Sequence, residues 1–456
     1  MHVPKSKKII IVGIISVIIA QMLIYISYHY ARENYLYSIK QIPQNAFYWV
    51  HHNTQNIPLI PIQKQQAYSH YYLRYYFSPW TVNRSGLDWQ IPYLKNTIQQ
   101  SIHEYIHNPG YGINHLPNTS RWVEKMADRM DLSHFPNSFT KAITVENTNI
   151  RTLPTHQPSF GNFDQAGQGY PFDNLQVSSI AANTPALIIQ KTKEGAWSFI
   201  IIHNLQGWVP TSALAVIDEP FIQRWKTKHY IALTKNKINI KDHHLVRFTA
   251  GVGKIFPLVQ NNSKQKTYSV YIAVPDSNQH AKIKIAQLDN HDATVWPLSS
   301  TPHHIAKIMN VMMGVKYGWG GVTDDSDCSL TTMNLFSTFG LWLPRNSTLQ
   351  ADTKSVISLQ HLSAREKEKL IIAKGIPLLT LLHMPGHIVV YLGSIKGRVY
   401  VFQTVWGVET RTLFGKSGRA IIGKTVIAPA DLGAHDFNVK HTWLDRMDKM
   451  RVLAVN

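Results

Sequence analysis

The distribution of apolar positions changes character along the chain. Residues 9–28 read IIIVGIISVIIAQMLIYISY, a run without a single charge. At about 1.5 Å per residue such a run spans about 30 Å, the thickness of bilayer hydrocarbon, which predicts a transmembrane helix. Lys5, Lys7 and Lys8 precede it, so residues 1–8 are expected as a cytoplasmic tail and the remainder as exported. A cleaved signal peptide is the competing reading. No small-x-small cleavage site follows, which favours an uncleaved anchor, and no cysteine follows closely, which excludes a lipoprotein.

Residues 29–130 are polar, aromatic and weakly periodic. A helix is predicted over 94–106, where Leu94, Ile98, Ile102 and Ile106 form one stripe, and another over 121–130. Pro109, Gly110, Gly112 and Pro117 separate the two. From about residue 139 to 300 the pattern becomes short β-branched runs broken by Gly, Pro, Asn and Asp. Strands are predicted at 142–150, 186–191, 197–203 and 207–210, then at 228–233, 245–249, 255–258 and 268–274. Two strand-rich blocks of similar length, 131–217 and 218–300, suggest small antiparallel barrels.

From residue 301 to 456 the chain mixes helices and strands. A helix over 302–313 precedes the loop YGWGG, another over 328–339 ends at Gly340, and strands follow at 387–392 and 399–404. Helices followed by an antiparallel sheet predict an α+β domain.

Composition narrows the reading. The chain has 456 residues, 44% of them apolar, which excludes wholesale disorder. Its net charge of +19 favours anionic partners such as nucleic acid, membrane headgroups or an acidic cell-wall polymer. The basic residues are spread along the chain without any nucleic-acid module, so nucleic acid is not expected as a partner. The pairs His51-His52, His243-His244 and His303-His304 lack metal-ligand spacing.

The single cysteine, Cys328, excludes an intramolecular disulfide. Ser326 and Asp327 are good N-caps and Leu330, Met333, Phe336 and Phe339 are expected on one helix face, so Cys328 falls in the first turn. There the helix dipole favours thiolate. His387, behind Pro385 and Gly386 at the start of an apolar strand, is a candidate base, and Gln403 on the next strand could orient its imidazole. The bland alternatives are a small buried cysteine, an incidental histidine and an edge-strand glutamine.

Residues 314–350 read GVKYGWGGVTDDSDCSLTTMNLFSTFGLWLPRNSTLQ. With the later G-H and Y-L-G of Gly386, His387, Tyr391, Leu392 and Gly393, this stretch resembles the NlpC-type bacterial cell-wall cysteine peptidases over about 130 residues. The resemblance implies Cys328 as nucleophile, His387 as general base and Tyr317 beside the thiolate, helping the oxyanion. It implies Asp327 and Ser329 as the pair holding the substrate's amino end. The family's third catalytic residue is usually histidine; Gln403 at that position is a departure, as is Leu330 after D-C-S.

The upstream W-x-F-I and G-W-V of Trp197, Phe199, Gly207, Trp208 and Val209 resemble the bacterial SH3-like barrel that accompanies some of these peptidases and restricts access to their site. Tyr170, Phe172 and Asp173 lie in its most distinctive loop and are expected to wall the cleft, with Asp173 among the substrate-binding residues.

The expected architecture is therefore multidomain. It comprises an N-terminal transmembrane helix (9–28), a helical stabilising segment (29–130), two SH3-like β-barrels (131–217 and 218–300) and a C-terminal α+β papain-like cysteine peptidase domain (301–456). The implied activity is cleavage within peptidoglycan stem peptides, typically at the γ-D-glutamyl–diamino acid amide, with no metal or cofactor. Expected partners are peptidoglycan peptides and, through the N-terminal helix, the cytoplasmic membrane, with the catalytic domain on the cell-wall side. A non-catalytic cell-wall-binding protein, or an amidase or acyltransferase on the same scaffold, are the alternatives.

Overall fold

The computed structural model describes residues 13–26, 38–262, 266–353, 355–411 and 415–453. Among the described residues the expected transmembrane helix is not found. The described part of that segment is a helix over 13–26, exposed along nearly all its length. Among the described residues no helix is long and apolar enough to cross a membrane. The membrane as a partner through this helix falls with it; residues 9–12 and 27–28 lie outside the described residues.

The helical segment is built around Ile62–Tyr76, Ile91–His107 and Ser120–Arg129. Thr119 caps the last of these by accepting the Trp122 amide proton. The stripe of Leu94 and Ile98 packs with Val123 and Met126 onto Leu175, Leu187, Trp197 and Trp208. Those four belong to the following β region, so the helices and that region share one core rather than forming separate bodies.

That region is a seven-stranded antiparallel sheet. In spatial order its strands are Gln176–Ile180, Thr148–Arg151, Gln206–Pro210, Trp197–Ile201, Pro185–Lys191, Thr140–Thr144 and Leu214–Val216. The apolar run over 142–150 makes two strands, because Glu146 and Asn147 interrupt it at an exposed corner. Strand Gln176–Ile180 is not marked by a hydrophobic run; Gln176 and Ser178 are its buried polar members.

A second β region follows. It holds a five-stranded sheet, Ala281–Asp289, Thr267–Pro275, Ile255–Asn262, Tyr230–Leu233 and Ala293–Trp296, and the hairpin Ile238–Asp242 with Leu245–Ala250. The strand Ala281–Asp289 (AKIKIAQLD) alternates, with one face solvated. Helix Ile62–Tyr76 straps these parts together. Its Tyr72 and Tyr76 pack among Ile143, Trp225, Tyr230 and Trp296, and Gln65 donates from Nε2 to the carbonyls of Leu298 and Phe339 at 2.6 and 2.9 Å.

The C-terminal part is α+β. Helices Pro302–Met312, Cys328–Ser337 and Ala364–Lys374 pack on a six-stranded antiparallel sheet. Its strand order is Ile357–Ser358, Lys449–Val452, Thr380–Met384, His387–Ile395, Arg398–Arg411 and Ser417–Pro429. One face holds Leu335 and Phe336 of the Cys328 helix against Ile388, Val390 and Phe402. The other holds Val389, Val401, Val426 and Trp443. Alternation along each strand thus serves two cores.

Candidate active site

Cys328 is the first residue of its helix. Asp327 caps it, accepting the Leu330 amide proton at 2.9 Å. The helix lies across strands His387–Ile395 and Arg398–Arg411, and buried hydroxyls of Thr331 and Thr404, 2.6 Å apart, join it to the second of them. Cys328 is 7% exposed, and its sulfur receives the backbone amides of Ile388 and Ser329. His387 is the chain neighbour of Ile388, whose amide the thiol accepts.

The imidazole is fixed from its other side. His387 Nε2 lies 2.7 Å from Gln403 Oε1. An amide oxygen only accepts, so Nε2 carries the proton and Nδ1 keeps its lone pair. Gln403 is 1% exposed and its Nε2 has no partner, so the side chain is held in the sheet for this contact at the cost of an unsatisfied donor.

Burial, with the neighbouring Asp327 charge, pushes the Cys328 thiol up to about 12, against the opposing pull of the Ile388 and Ser329 amides and Arg345. Burial likewise pushes His387 down to about 4, although the Gln403 bond acts the other way. The helix-start position alone predicts a thiolate; desolvation outweighs it, and the resting pair is neutral thiol and neutral imidazole.

Tyr317 is half-buried, its phenol raised first by burial, then by Cys328 once ionised and by the Asp327 charge. Asp327 and Ser329 form a buried polar frame rather than an open pair. Arg345 grips Asp327 with two nitrogens, at 3.0 and 2.5 Å, and donates to Ser329 Oγ at 2.7 Å. Asp327 also accepts the Gly320 amide proton at 3.0 Å. Arg345 Nε reaches Ser178 Oγ of the first β region at 2.8 Å.

Glycines of the W-G-G run allow this docking. Gly320 and Gly321 have φ of +61° and +76°, and a Cβ on either would overlap Gln176 or Ser179 of the facing strand. Gln176 Nε2 also donates to the Gly320 carbonyl at 3.3 Å.

Asp173, expected among the substrate-binding residues, is buried and bonded within the first β region. One carboxylate oxygen pairs with Arg151 and the other accepts the amide protons of Ser159 and Leu175. A buried carboxylate in a basic chain is drawn to a buried guanidinium. Tyr170 is also away from the site, exposed and near Phe160. Phe172 does wall it: its ring packs 6.0, 5.5 and 5.7 Å from Tyr317, Trp319 and Trp406. Sequence reasoning assigned no role to Arg345, Ser178, Gln176 or Trp406. Arg345 had a usable signal, since an arginine inside an apolar L-P-R run needs an acid. The β-region residues had none.

A cysteine at a helix start, packed on the antiparallel strand that begins with an amide-held histidine, is the arrangement of an α+β cysteine hydrolase domain. Comparison with known families agrees. Residues 314–412 match the NlpC/P60 family model, residues 158–210 the SH3 domain of SH3b1 type, and residues 31–135 the N-terminal NLPC_P60 stabilising domain. The chain carries a domain of the NlpC/P60 family behind an SH3b domain and the family's N-terminal stabilising domain.

Among solved structures it is similar to an NlpC/P60 endopeptidase from Photobacterium damselae subsp. piscicida, 27% identical, covering 91% of this chain and 97% of that one with a TM-score of 0.82. An NlpC/P60 family protein from Bacillus cereus ATCC 10987 matches at 15% identity over 69% of this chain and 100% of that one, with a TM-score of 0.46. No curated protein sequence matches the chain.

Proposed function

We propose that this protein is a peptidoglycan stem-peptide endopeptidase that cleaves the γ-D-glutamyl–diamino acid amide on the cell-wall side of the membrane. The observation that carries the reading is the Cys328–His387–Gln403 arrangement, in which a cysteine on a helix start accepts the amide of the residue after a histidine whose tautomer Gln403 fixes. The NlpC/P60 likeness supports the choice of substrate class.

In the proposed mechanism His387 Nδ1 takes the Cys328 proton as sulfur attacks the amide carbonyl. The Cys328 backbone amide and the Tyr317 hydroxyl hold the oxyanion. His387 then returns the proton to the leaving amine, and water hydrolyses the thioester with His387 again as base. Asp327, Ser329 and Arg345 shape the end of the cleft where the substrate's amino group lies.

Digestion of purified muropeptides followed by mass analysis tests the reading. The expected products are a fragment ending in γ-D-glutamate and one with a free diamino-acid amine, both absent with Cys328→Ala. Cleavage at the amide joining sugar to peptide makes the protein an amidase, and no cleavage with retained wall binding makes it a binding protein.

A further inference from the structure

Behind the Cys328 helix lies a cavity of about 640 Å³ where the helical segment, both β regions and the C-terminal domain meet. Leu330, Thr331 and Asn334 form its wall on the helix side, and it shares none of Cys328, His387, Gln403 or Tyr317. Its size is that of a small-molecule or short-peptide pocket.

Lys254 stands in it, 8% exposed. Its Nζ donates to the Asn183 carbonyl at 2.9 Å and to Tyr76 Oη at 3.4 Å, and it lies 5.7 Å from the Phe256 ring centroid. Among the described residues no carboxylate pairs with it. An ammonium has three N–H donors, so one remains, on a cation that burial destabilises, its pKa pushed down to about 7. Nearby, Asn204 Oδ1 is buried without a partner while its Nδ2 meets Met333 Sδ at 3.1 Å. A spare buried donor with positive charge and a spare buried acceptor thus face one space.

His203 adds no second charge there, because burial and Lys254 push it down to about 3. Arg345 is committed to Asp327. Lys237 and Lys316 are exposed in the lining, where they draw anions inward, and Asp325 stands among them. A phosphate calls for several convergent donors. One deep ammonium among amides and apolar side chains such as Ile202, Val252 and Trp342 suits a monoanion with a peptide body.

We propose that this cavity binds the carboxylate end of a short peptide, Lys254 taking the carboxylate and Asn204 accepting a peptide N–H. Arg345 and Ser178 border both this cavity and the Cys328 cleft, but the cavity takes in none of the reacting residues and its proposed ligand does not depend on the activity proposed for that cleft.

The test is calorimetric titration of the full chain, with Cys328 alkylated, using trialanine, trialanine amide and inorganic phosphate. Trialanine is expected to bind, the amide roughly tenfold or more weaker, and Lys254→Met to weaken trialanine by a similar factor, as loss of one buried charge partner does. Should Lys254→Met fail to fold, Asn204→Asp, which places a like charge on the wall, is expected to weaken trialanine by roughly tenfold. Absence of trialanine binding, equal binding of trialanine and its amide, phosphate binding as tightly as trialanine, or trialanine binding unchanged in the folded variants overturns the proposal.

Discussion

His387 Nε2 lies 2.7 Å from Gln403 Oε1, on adjacent strands of one sheet. The contact holds the ring with its unprotonated nitrogen free and adds no charge. Gln403→Ala should lower turnover roughly 10- to 1000-fold, about 1.4 to 4 kcal/mol of transition-state stabilisation. Gln403→His should keep much of the activity. Steady-state rates paired with melting curves check this, since Val401 and Val405 beside it are buried. A folded Gln403→Ala protein with the parent rate removes Gln403 from the mechanism.

Cys328→Ala should abolish hydrolysis without unfolding the chain, because it removes one sulfur at a helix start and leaves the Asp327 cap in place. Undiminished cleavage by the purified variant would sink the nucleophile assignment.

The pH profile should be broad on its acid side. With His387 pushed down to about 4 and Cys328 up to about 12, the reactive neutral pair persists between those values. Proton uptake by His387 removes the base as pH falls through about 4. The acid limb of kcat/KM is therefore expected near pH 4 to 5, below the ordinary histidine value of about 6.5. An acid limb at the ordinary value, or thiolate absorbance at neutral pH in the free protein, contradicts this electrostatic reading.

Arg345 and Asp327 are a buried pair whose two sides depend on each other. Arg345→Leu leaves a buried carboxylate unpaired and should cost about 3 to 5 kcal/mol of stability. The double variant Arg345→Leu with Asp327→Leu should recover part of that loss. Denaturant melts of the single and double variants measure the coupling, and additive losses argue against it.

Phe172 covers the cleft from the first β region. Phe172→Ala should speed iodoacetamide alkylation of Cys328 several-fold while leaving the melting temperature nearly unchanged. An unaltered alkylation rate shows that the ring does not govern access.

Much of this site is written locally. Asp327, Cys328 and the helix after them follow from capping chemistry and short-range periodicity, which neighbouring residues decide among themselves. The strands carrying His387 and Gln403 are legible for the same reason, their alternation being matched to two apolar cores. The helix of Leu94 and Ile98 is equally plain, although its partner surface is not.

What tertiary structure decided is everything that depends on distant partners. Charge-free length alone suggested a membrane span over 9–28, yet among the described residues no helix is long and apolar enough to cross a membrane. Asp173, close to Phe172 in the chain, turns inward because Arg151 is there to receive it, while Phe172 turns to the cleft. The dipole at Cys328 pointed to thiolate, but the surrounding apolar packing sets the opposite sign. Burial, ion pairing and desolvation are sums over neighbours that arrive from far along the chain, so a local pattern cannot contain them.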